Sequence, residues 1–317
     1  MTIAKDTLDQ QDLDRTSTIA MKKQGSGRAG DRWKRRAPLL PALVFAIVIT
    51  QLPFLLTIWY SLQSWNLLRD PAPRFVGLQN FTLAWTSEPF RDAIVVTLVF
   101  TVSAVVLSVV VGLLLALLVH RQFLGRGIVR TLLITPFLVM PAAAALVWKT
   151  SFFNPNFGLI NWFLGLFGID GPNWLSEMAG PSIVFVMVWQ WAPFMMLILL
   201  AGLQSQPEDA LEAARVDGAN GFQIFRFLTV PHLRRYIELG TVLGSIFILQ
   251  TYDTVFMMTN GGPGRSTTNL PFFLYQTAFR TFEIGQAAAL GIVVVIFTII
   301  LSTFALRTFA KVFKEAR

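Results

Sequence analysis

The 317-residue sequence has no cysteine, only two histidines and few charged residues, which make up 14% of the chain. Without cysteine there can be no disulfide bond, thiolate nucleophile or cysteine-ligated metal, and the redox environment of the protein is left unspecified. His120 and His232 lie outside any HExxH motif and are not near paired carboxylates in the sequence. We therefore expect neither a metal site nor histidine-based catalysis.

Catalytic and nucleotide-binding motifs are missing as well. The sequence has no evident nucleophile elbow and no Ser-His-Asp arrangement. The segment Gly261-Gly-Pro-Gly-Arg-Ser-Thr267 has the glycines of a phosphate-binding loop, but such a loop needs a lysine where this chain has Arg265. The sequence therefore predicts that the chain is not an enzyme and binds no cofactor of its own.

Long apolar runs dominate what is present, since 54% of the residues are hydrophobic. A helix needs about 20 mostly apolar residues to cross a bilayer, because its backbone N–H and C=O groups must be paired internally there. These runs predict an all-α membrane protein with six transmembrane helices. The first run is too long for a signal-peptide core, so we expect it to be retained. The six predicted segments are 39–62, 93–119, 131–148, 182–203, 237–258 and 287–309.

The net charge of +8 could suggest a nucleic-acid partner, but the distribution of the basic residues indicates a membrane topology instead. If the amino terminus is inside the cell, 20 of the 26 Lys and Arg residues fall on inside segments. This is the bias that the positive-inside rule describes. It predicts that both termini are cytoplasmic, that the chain meets anionic membrane lipid, and that it binds no nucleic acid.

Composition divides the chain into two predicted parts. Residues 1–31 hold few large apolar residues and no sustained periodicity, so we expect a flexible cytoplasmic tail. Residues 32–317 form the predicted transmembrane domain. Small residues recur four positions apart in its second and fifth spans, a spacing that lets helices approach closely, in this chain or between chains. These residues are Ser108, Gly112, Ala116, Gly240 and Gly244.

The predicted cytoplasmic loop after the fourth span contains two short helices. Ser205-Gln-Pro-Glu208 has the pattern of a capping box, which predicts a first helix that runs to about Val216. Asp217-Gly218 ends it, because glycine readily adopts positive φ after a helix. Asn220-Gly-Phe-Gln223 repeats the capping pattern and predicts a second helix that ends at Pro231. On these residues alone, the loop could equally be an interfacial hairpin that only covers the helix bundle.

The same loop resembles the EAA motif of binding-protein-dependent ABC transporter permeases. The resemblance lies in Glu212-Ala-Ala-x-x-Asp217-Gly218-Ala219, followed by Phe225 and by Val230-Pro231 where the family usually has Leu-Pro. It implies a type I ABC importer (MetI-like) permease fold in which this coupling loop, residues 204–233, docks on an ATP-binding subunit. The implied ATPase-coupling residues are Glu212, Ala213, Ala214, Asp217, Gly218, Ala219, Phe225 and Pro231.

Further segments resemble narrower groups of the same family. Thr259-Asn-Gly-Gly-Pro263, with Ser266-Thr267, Tyr275 and Gly285-Gln-Ala-Ala-Ala289 after it, is similar to the outer-loop pattern of the maltose-type carbohydrate branch. Other phrases are similar to sorbitol/mannitol (polyol) permeases. These are Pro136-Phe-Leu-Val-Met-Pro141, Ala145-Leu-Val-Trp-Lys149, Asn154-Pro155 and Trp189-Gln-Trp-x-Pro193-Phe194.

The resemblance also implies a substrate cavity on the fourth and fifth spans. The residues implied there are Trp189, Gln190, Trp191, Gln250, Thr251, Tyr252 and Asp253. Amides and hydroxyls suit the OH groups of a sugar or polyol, and flat aromatic faces suit its C–H groups. A carboxylate such as Asp253 within a membrane usually faces a cavity or a partner, although a salt bridge or an interfacial position remains open. The tryptophans could equally serve core packing.

The family resemblance finally implies partners and location. The partners are a second homologous permease, a dimer of ATP-binding subunits that holds ATP and Mg²⁺, an extracytoplasmic solute-binding protein, membrane lipid and a small polyol or sugar. The chain would be a multi-pass protein of the bacterial inner (plasma) membrane. The alternative is an ion-coupled secondary carrier that acts alone, which usually has several buried acids or bases. A membrane-embedded enzyme is disfavoured by the missing catalytic groups.

Overall fold

The computed structural model describes residues 39–312, so the predicted tail at residues 1–31 lies outside the described residues. The described chain is mostly helical, with one short two-stranded sheet between Gln63–Ser64 and Arg74–Phe75. Two five-residue segments of the chain are π-helical, Trp148–Phe152 and Phe225–Thr229. The α-helices are α1 (Leu40–Ser61), α2 (Gln79–Thr86), α3 (Glu88–His120), α4 (Arg126–Leu138), α5 (Pro141–Val147), α6 (Leu159–Gly165), α7 (Ala179–Gln204), α8 (Glu208–Val216), α9 (Gly221–Ile224), α10 (Val230–Leu249), α11 (Asp253–Met258), α12 (Leu270–Phe279) and α13 (Ile284–Val312).

Four helices among the described residues, α1, α3, α7 and α13, are long and apolar enough to cross a membrane. The pair formed by α4 and the segment from α5 to Phe152 makes a fifth span if the two pieces are counted together. These elements coincide with five of the six predicted segments. The chain divides into two compact units at residues 57 and 58, and α1, which falls mostly in the first unit, has exposed apolar side chains along its length.

The third predicted span is sharply broken after α4, where the chain bends by 99° between α4 and the segment Pro141–Phe152. Val139 and Met140 are extended at the break, with ψ angles of 135° and 128°. Pro141 follows directly, and proline disfavours the helical conformation of the residue before it. Pro136, by contrast, lies inside α4 without ending it. The break is therefore a local consequence of Pro141 that runs of hydropathy do not reveal.

The fifth predicted span, residues 237–258, is not one helix. It begins within α10, which ends at Leu249, and it resumes only with the short helix α11. Residues 250–252 form the break between them. The prediction of an uninterrupted segment is wrong here, because hydropathy averages over the polar residues at which the backbone turns.

The core lies where α3 and α7 pack side by side, with α10 against both. Gly112 of α3 makes this approach possible, because a Cβ atom there would lie 2.6 Å from Met195 Cβ and 2.9 Å from the Met196 backbone nitrogen. Gly244 of α10 also faces Met195. The predicted small-residue spacing therefore serves contacts within this chain. All five of its residues, Ser108, Gly112, Ala116, Gly240 and Gly244, are buried.

The segments predicted to lie outside the membrane contact one another. The Asn66 side chain donates to the Thr281 carbonyl at 3.1 Å and to Glu283 Oε1 at 2.9 Å. The Asn80 side chain donates to the carbonyls of Ser61 and Gln63, both at 2.8 Å. The Asn66 bonds join the segment before α3 to the loop before α13, so the two segments lie at the same end of the helices, and the Asn80 bonds fix α2 on the chain that follows α1.

Candidate functional site

The first half of the coupling loop is a short helix closed by backbone hydrogen bonds. α8 ends in a Schellman motif, in which the Ala219 N–H donates to the Ala214 carbonyl at 2.9 Å and the Gly218 N–H to that of Arg215 at 3.1 Å. Gly218 supplies the left-handed residue that this motif needs, with φ of +82°. The predicted break at Asp217-Gly218 is confirmed. The Ala-Ala-x-x-Asp-Gly-Ala spacing thus encodes one defined turn.

The second half of the loop begins with the predicted capping box. The Gln223 N–H donates to Asn220 Oδ1 at 2.9 Å, and the Asn220 N–H donates to Gln223 Oε1 at 2.8 Å. The predicted end at Pro231 is wrong, since the chain continues from α9 through the π-helical turn into α10. Pro231 has no N–H and so cannot donate the usual bond to the carbonyl four residues earlier. The π-helical turn, which is wider than an α-helical turn, accommodates the chain just before this proline. The second half of the loop is consequently continuous with α10.

The predicted cap at Ser205 is also wrong, and the side chain has a different role. α8 begins after Pro207 without a side-chain cap. Ser205 Oγ instead lies 3.1 Å from His232 Nε2 and 2.8 Å from the Tyr236 hydroxyl, at the other end of the loop. A Cβ atom at Gly202 would lie 2.7 Å from the Tyr236 ring, so α7 and α10 are in close contact there. These contacts tie both ends of the coupling loop together.

The loop presents a mixed surface. Glu212, Ala213, Asp217, Gly218 and Pro231 are exposed, whereas Ala214, Ala219 and Phe225 are half-buried. A groove of about 410 Å³ runs between α8 and the second half of the loop. Its walls are apolar at Ile224, Phe227 and Leu228, with Asp217 at the rim. The exposed acids and small residues are therefore accessible to another protein, and the half-buried ones shape the turn.

The predicted cavity residues on α7 separate into two environments. Gln190 is 5% exposed, and its Nε2 donates to the Val139 carbonyl at 3.0 Å, which satisfies a backbone group freed by the break before α5. Trp189 and Trp191 are half-buried. Trp189 meets Trp148 edge-on at 5.5 Å, and Trp191 stacks on Phe247 of α10 at 5.5 Å. The broken span and two neighbouring helices thus meet at these three residues.

The predicted residues on the fifth span lie at the break between α10 and α11. Tyr252 stacks on Phe256 at 5.3 Å, and the Thr251 carbonyl accepts a 2.6 Å hydrogen bond from Asn269 Nδ2. Gln250 is exposed. Asp253 is half-buried, and its carboxylate makes no hydrogen bond or ion pair with any of residues 39–312. The salt bridge that the sequence left open is not found within this part of the chain.

The structure brings Trp189 and Tyr252 to one hydrophobic cluster, although they lie on different spans. α11 packs against α5, and Lys149 Nζ donates to the Met257 carbonyl at 3.1 Å, so the two breaks are neighbours. Asn269 was missed by the sequence analysis, although it is buried and also caps α12 by accepting from the Phe272 N–H. Its only sequence signal is the Asn-x-Pro start of α12.

The glycine-rich outer loop is held by its own hydroxyl groups. Thr267 Oγ1 lies 2.7 Å from Thr259 Oγ1 and donates to the Gly262 carbonyl at 2.8 Å. Gly261 has φ of +88°, and a Cβ atom there would lie 2.6 Å from the Phe272 ring. Arg265, at the lysine position of the rejected phosphate loop, lies 3.3 Å from Asp92. These contacts explain why the Thr259 to Thr267 pattern needs its glycines and threonines.

Comparison with known proteins gives consistent matches. The family described as binding-protein-dependent transport system inner membrane component matches residues 108–313. The chain is 38% identical over 265 residues to a probable ABC transporter permease, y4oQ, of Sinorhizobium fredii, covering 83% of this chain and 85% of that protein. It is 34% identical to the trehalose/maltose permease MalF of Thermococcus litoralis, covering 78% and 83%.

A solved structure matches at the level of fold. It is that of a bacterial alginate ABC transporter in complex with an alginate pentasaccharide-bound periplasmic protein. The TM-score is 0.76 at 22% sequence identity, and the match covers 91% of this chain and 99% of the other.

Proposed function

The chain belongs to the family of binding-protein-dependent transport system inner membrane components, and on that premise we propose that its coupling loop transmits the work of separate ATPase subunits to a cavity for a polyol or sugar. Members of this family are membrane-embedded permease subunits of ABC transporters and not enzymes. The chain is thus a permease subunit of an ABC sugar importer. The ATPase is a separate subunit.

One observation carries the proposed coupling. The loop that bears Glu212 and Asp217 is closed by a Schellman motif and a capping box, and its second half continues through the π-helical turn into α10. A force applied to α8 by a partner would therefore be transmitted along α10 instead of being absorbed by a flexible loop. α10 ends at the break formed by residues 250–252, and Asp253 begins the helix after it; these four residues are among the proposed substrate-binding residues.

Alternating access would then involve the two broken spans. α5 and α11 contact each other beside the breaks at residues 139–140 and 250–252, and both breaks are points where a backbone can change direction without unwinding a helix. We infer that closure of the ATPases moves α10 and that this motion reaches the α5–α11 contact. Trp189, Trp191 and Tyr252 would present aromatic faces to the substrate, and Gln250, Thr251 and Asp253 would bind its hydroxyl groups.

The proposed substrate is a sorbitol- or mannitol-type polyol, which the Trp189 to Phe194 phrase and the proline pair at residues 136 and 141 favour. The sequence similarity to the trehalose/maltose permease, 34% identity, supports a disaccharide as the second candidate substrate. Both classes present hydroxyl and C–H groups, so the same aromatic and polar residues suit either. The proposed location is the bacterial inner membrane with both termini in the cytoplasm. The proposed partners are a homologous permease, two ATPase subunits and an extracytoplasmic solute-binding protein.

The coupling role is tested by Glu212→Lys in the purified complex. Reversal of this exposed charge should weaken ATPase association and abolish transport, because the proposed docking surface would then repel the basic groups that an acid attracts. Asp170→Lys is the control, since it makes the same charge change at an exposed position of the predicted outer loop. Normal ATPase co-purification and normal transport with Glu212→Lys would contradict the coupling role.

The substrate is tested by uptake of labelled sorbitol, mannitol, maltose and trehalose in a strain that lacks this gene and has no redundant system. Loss of polyol uptake alone supports the polyol proposal. Loss of disaccharide uptake with normal polyol uptake would replace it with the second candidate. Accumulation of solute by vesicles that contain only this chain would instead support the secondary carrier.

A further inference from the structure

A second cavity lies at the same end of the helices as the coupling loop. It encloses about 430 Å³ between the turn that joins α3 to α4, the end of α7 and the start of α8. Its polar lining comes from both sides of this space. The polar residues of the lining are His120, Arg121, Gln122, Arg126, Gln204, Gln206 and Glu208.

The charged groups of this cavity are not neutralised by contacts within the described chain. Arg121 and Arg126 make no ion pair with any of residues 39–312. Glu208 also lines the cavity, but neither arginine lies within ion-pair distance of it. Two guanidinium groups therefore face one carboxylate, with amide donors from Gln122 and Gln206 beside them. Planar guanidinium groups of this kind bind phosphate oxygens with two parallel hydrogen bonds.

An exposed apolar row begins next to the cavity. Leu124 is fully exposed at the turn, and Ile128 and Leu132 of α4 are 69% and 65% exposed. Ile128 and Leu132 are four residues apart and so lie on one side of α4, which is part of the third predicted span, and Leu124 lies in the turn before this helix. A basic cavity that adjoins an apolar face at the boundary of a span has the two environments that a phospholipid requires, one for its headgroup and one for its acyl chains.

We propose that this cavity binds the anionic phosphate headgroup of a phospholipid of the cytoplasmic leaflet, with the acyl chains along Leu124, Ile128 and Leu132. The assignment to the cytoplasmic leaflet rests on the proposed function, since it follows from the position of the coupling loop. Glu208 lies in the first turn of α8, so the bound lipid contacts the helix on which the ATPase would act.

The proposal is tested by native mass spectrometry of the purified complex with added phosphatidylglycerol, phosphatidylcholine or inorganic phosphate. A basic side chain near an anionic headgroup contributes about fivefold to affinity, so Arg121→Gln and Arg126→Gln should each weaken phosphatidylglycerol binding about fivefold. The double variant should weaken it about 25-fold if the two effects add. Arg130→Gln is the matched control, because Arg130 is exposed on α4 and does not line the cavity.

Each outcome decides the proposal. Selective loss of phosphatidylglycerol binding in the cavity variants, with the control unchanged, supports it. Equal binding of phosphatidylcholine, equal binding of inorganic phosphate, or unchanged affinity in both single variants would overturn it. If the double variant does not fold, the affinities of the two single variants for phosphatidylglycerol provide the test. Transport by the wild-type complex is measured separately, because its absence would contradict the proposed function without altering the lipid affinities.

Discussion

Substitution of Gly218 tests whether the backbone conformation of the coupling loop, and not its surface side chains, determines docking of the ATPase. Gly218 has φ of +82°, and a Cβ atom there would have no neighbour within 4 Å. Any effect of alanine at this position therefore arises from the backbone and not from a clash. The left-handed conformation costs a residue with a side chain roughly 1–2 kcal/mol, and a β-branched residue more.

This conformational free energy predicts how much a substitution at position 218 lowers the affinity for the ATPase. If the ATPase binds only the closed Schellman turn, a penalty of roughly 1–2 kcal/mol lowers the ratio of closed to open loop by about 5- to 30-fold, and where the open loop then prevails the apparent affinity falls by up to the same factor. Gly218→Ala should fall in this range and Gly218→Val should exceed it. Gly218→Asn should be milder, because asparagine tolerates the left-handed region best among residues with side chains.

The assay is the affinity of the purified permease complex for its ATPase subunits, with transport in proteoliposomes measured in parallel. Gly221→Ala is the control, because Gly221 lies in the same loop, also has open space around its Cβ position and does not have positive φ. Equal affinities for Gly218→Val and Gly221→Ala would refute the argument, since the two sites differ in backbone conformation and not in crowding.

Three further predictions use other parts of the chain. Gly112→Ala should lower the thermal midpoint of the purified protein by overpacking α3 against α7, at a cost of about 1–3 kcal/mol, whereas Gly127→Ala, which has open space, should not. Asn220→Ala should cost about 0.5–2 kcal/mol through loss of the cap, seen as faster amide hydrogen exchange at Gln223. Asp253→Asn should raise the transport KM while ATPase association stays normal, and an unchanged KM would remove Asp253 from the proposed cavity.

The coupling loop was largely predictable from the sequence because its stabilising bonds are local. The Schellman turn at Gly218 and the capping box at Asn220 join residues three to five positions apart, so the residue types alone indicate the backbone path. Ser205 shows where this logic fails. Its local pattern is that of a cap, but partners about 30 positions away, His232 and Tyr236, bind the same hydroxyl.

The candidate cavity was less predictable, because its geometry depends on where spans break. The sequence indicated Gln190 and Thr251 as polar residues within apolar segments. The structure shows that Gln190 binds the Val139 carbonyl and that the Thr251 carbonyl binds Asn269. Both bonds satisfy backbone groups exposed by a break. A hydropathy average cannot locate such a break, since it does not record which carbonyl loses its helical partner.

The amino-acid sequence by itself determined the membrane class, the approximate spans and the two-helix form of the coupling loop. These properties depend on the length of apolar runs, on charge and on hydrogen bonds between near neighbours in the chain. Only the tertiary structure decided that Gln190 meets the Val139 carbonyl, that Trp189 and Tyr252 share one cluster, and that Ser205 ties the ends of the loop together. Those features depend on which distant residues meet when the apolar faces pack, and packing is a property of the assembled helices.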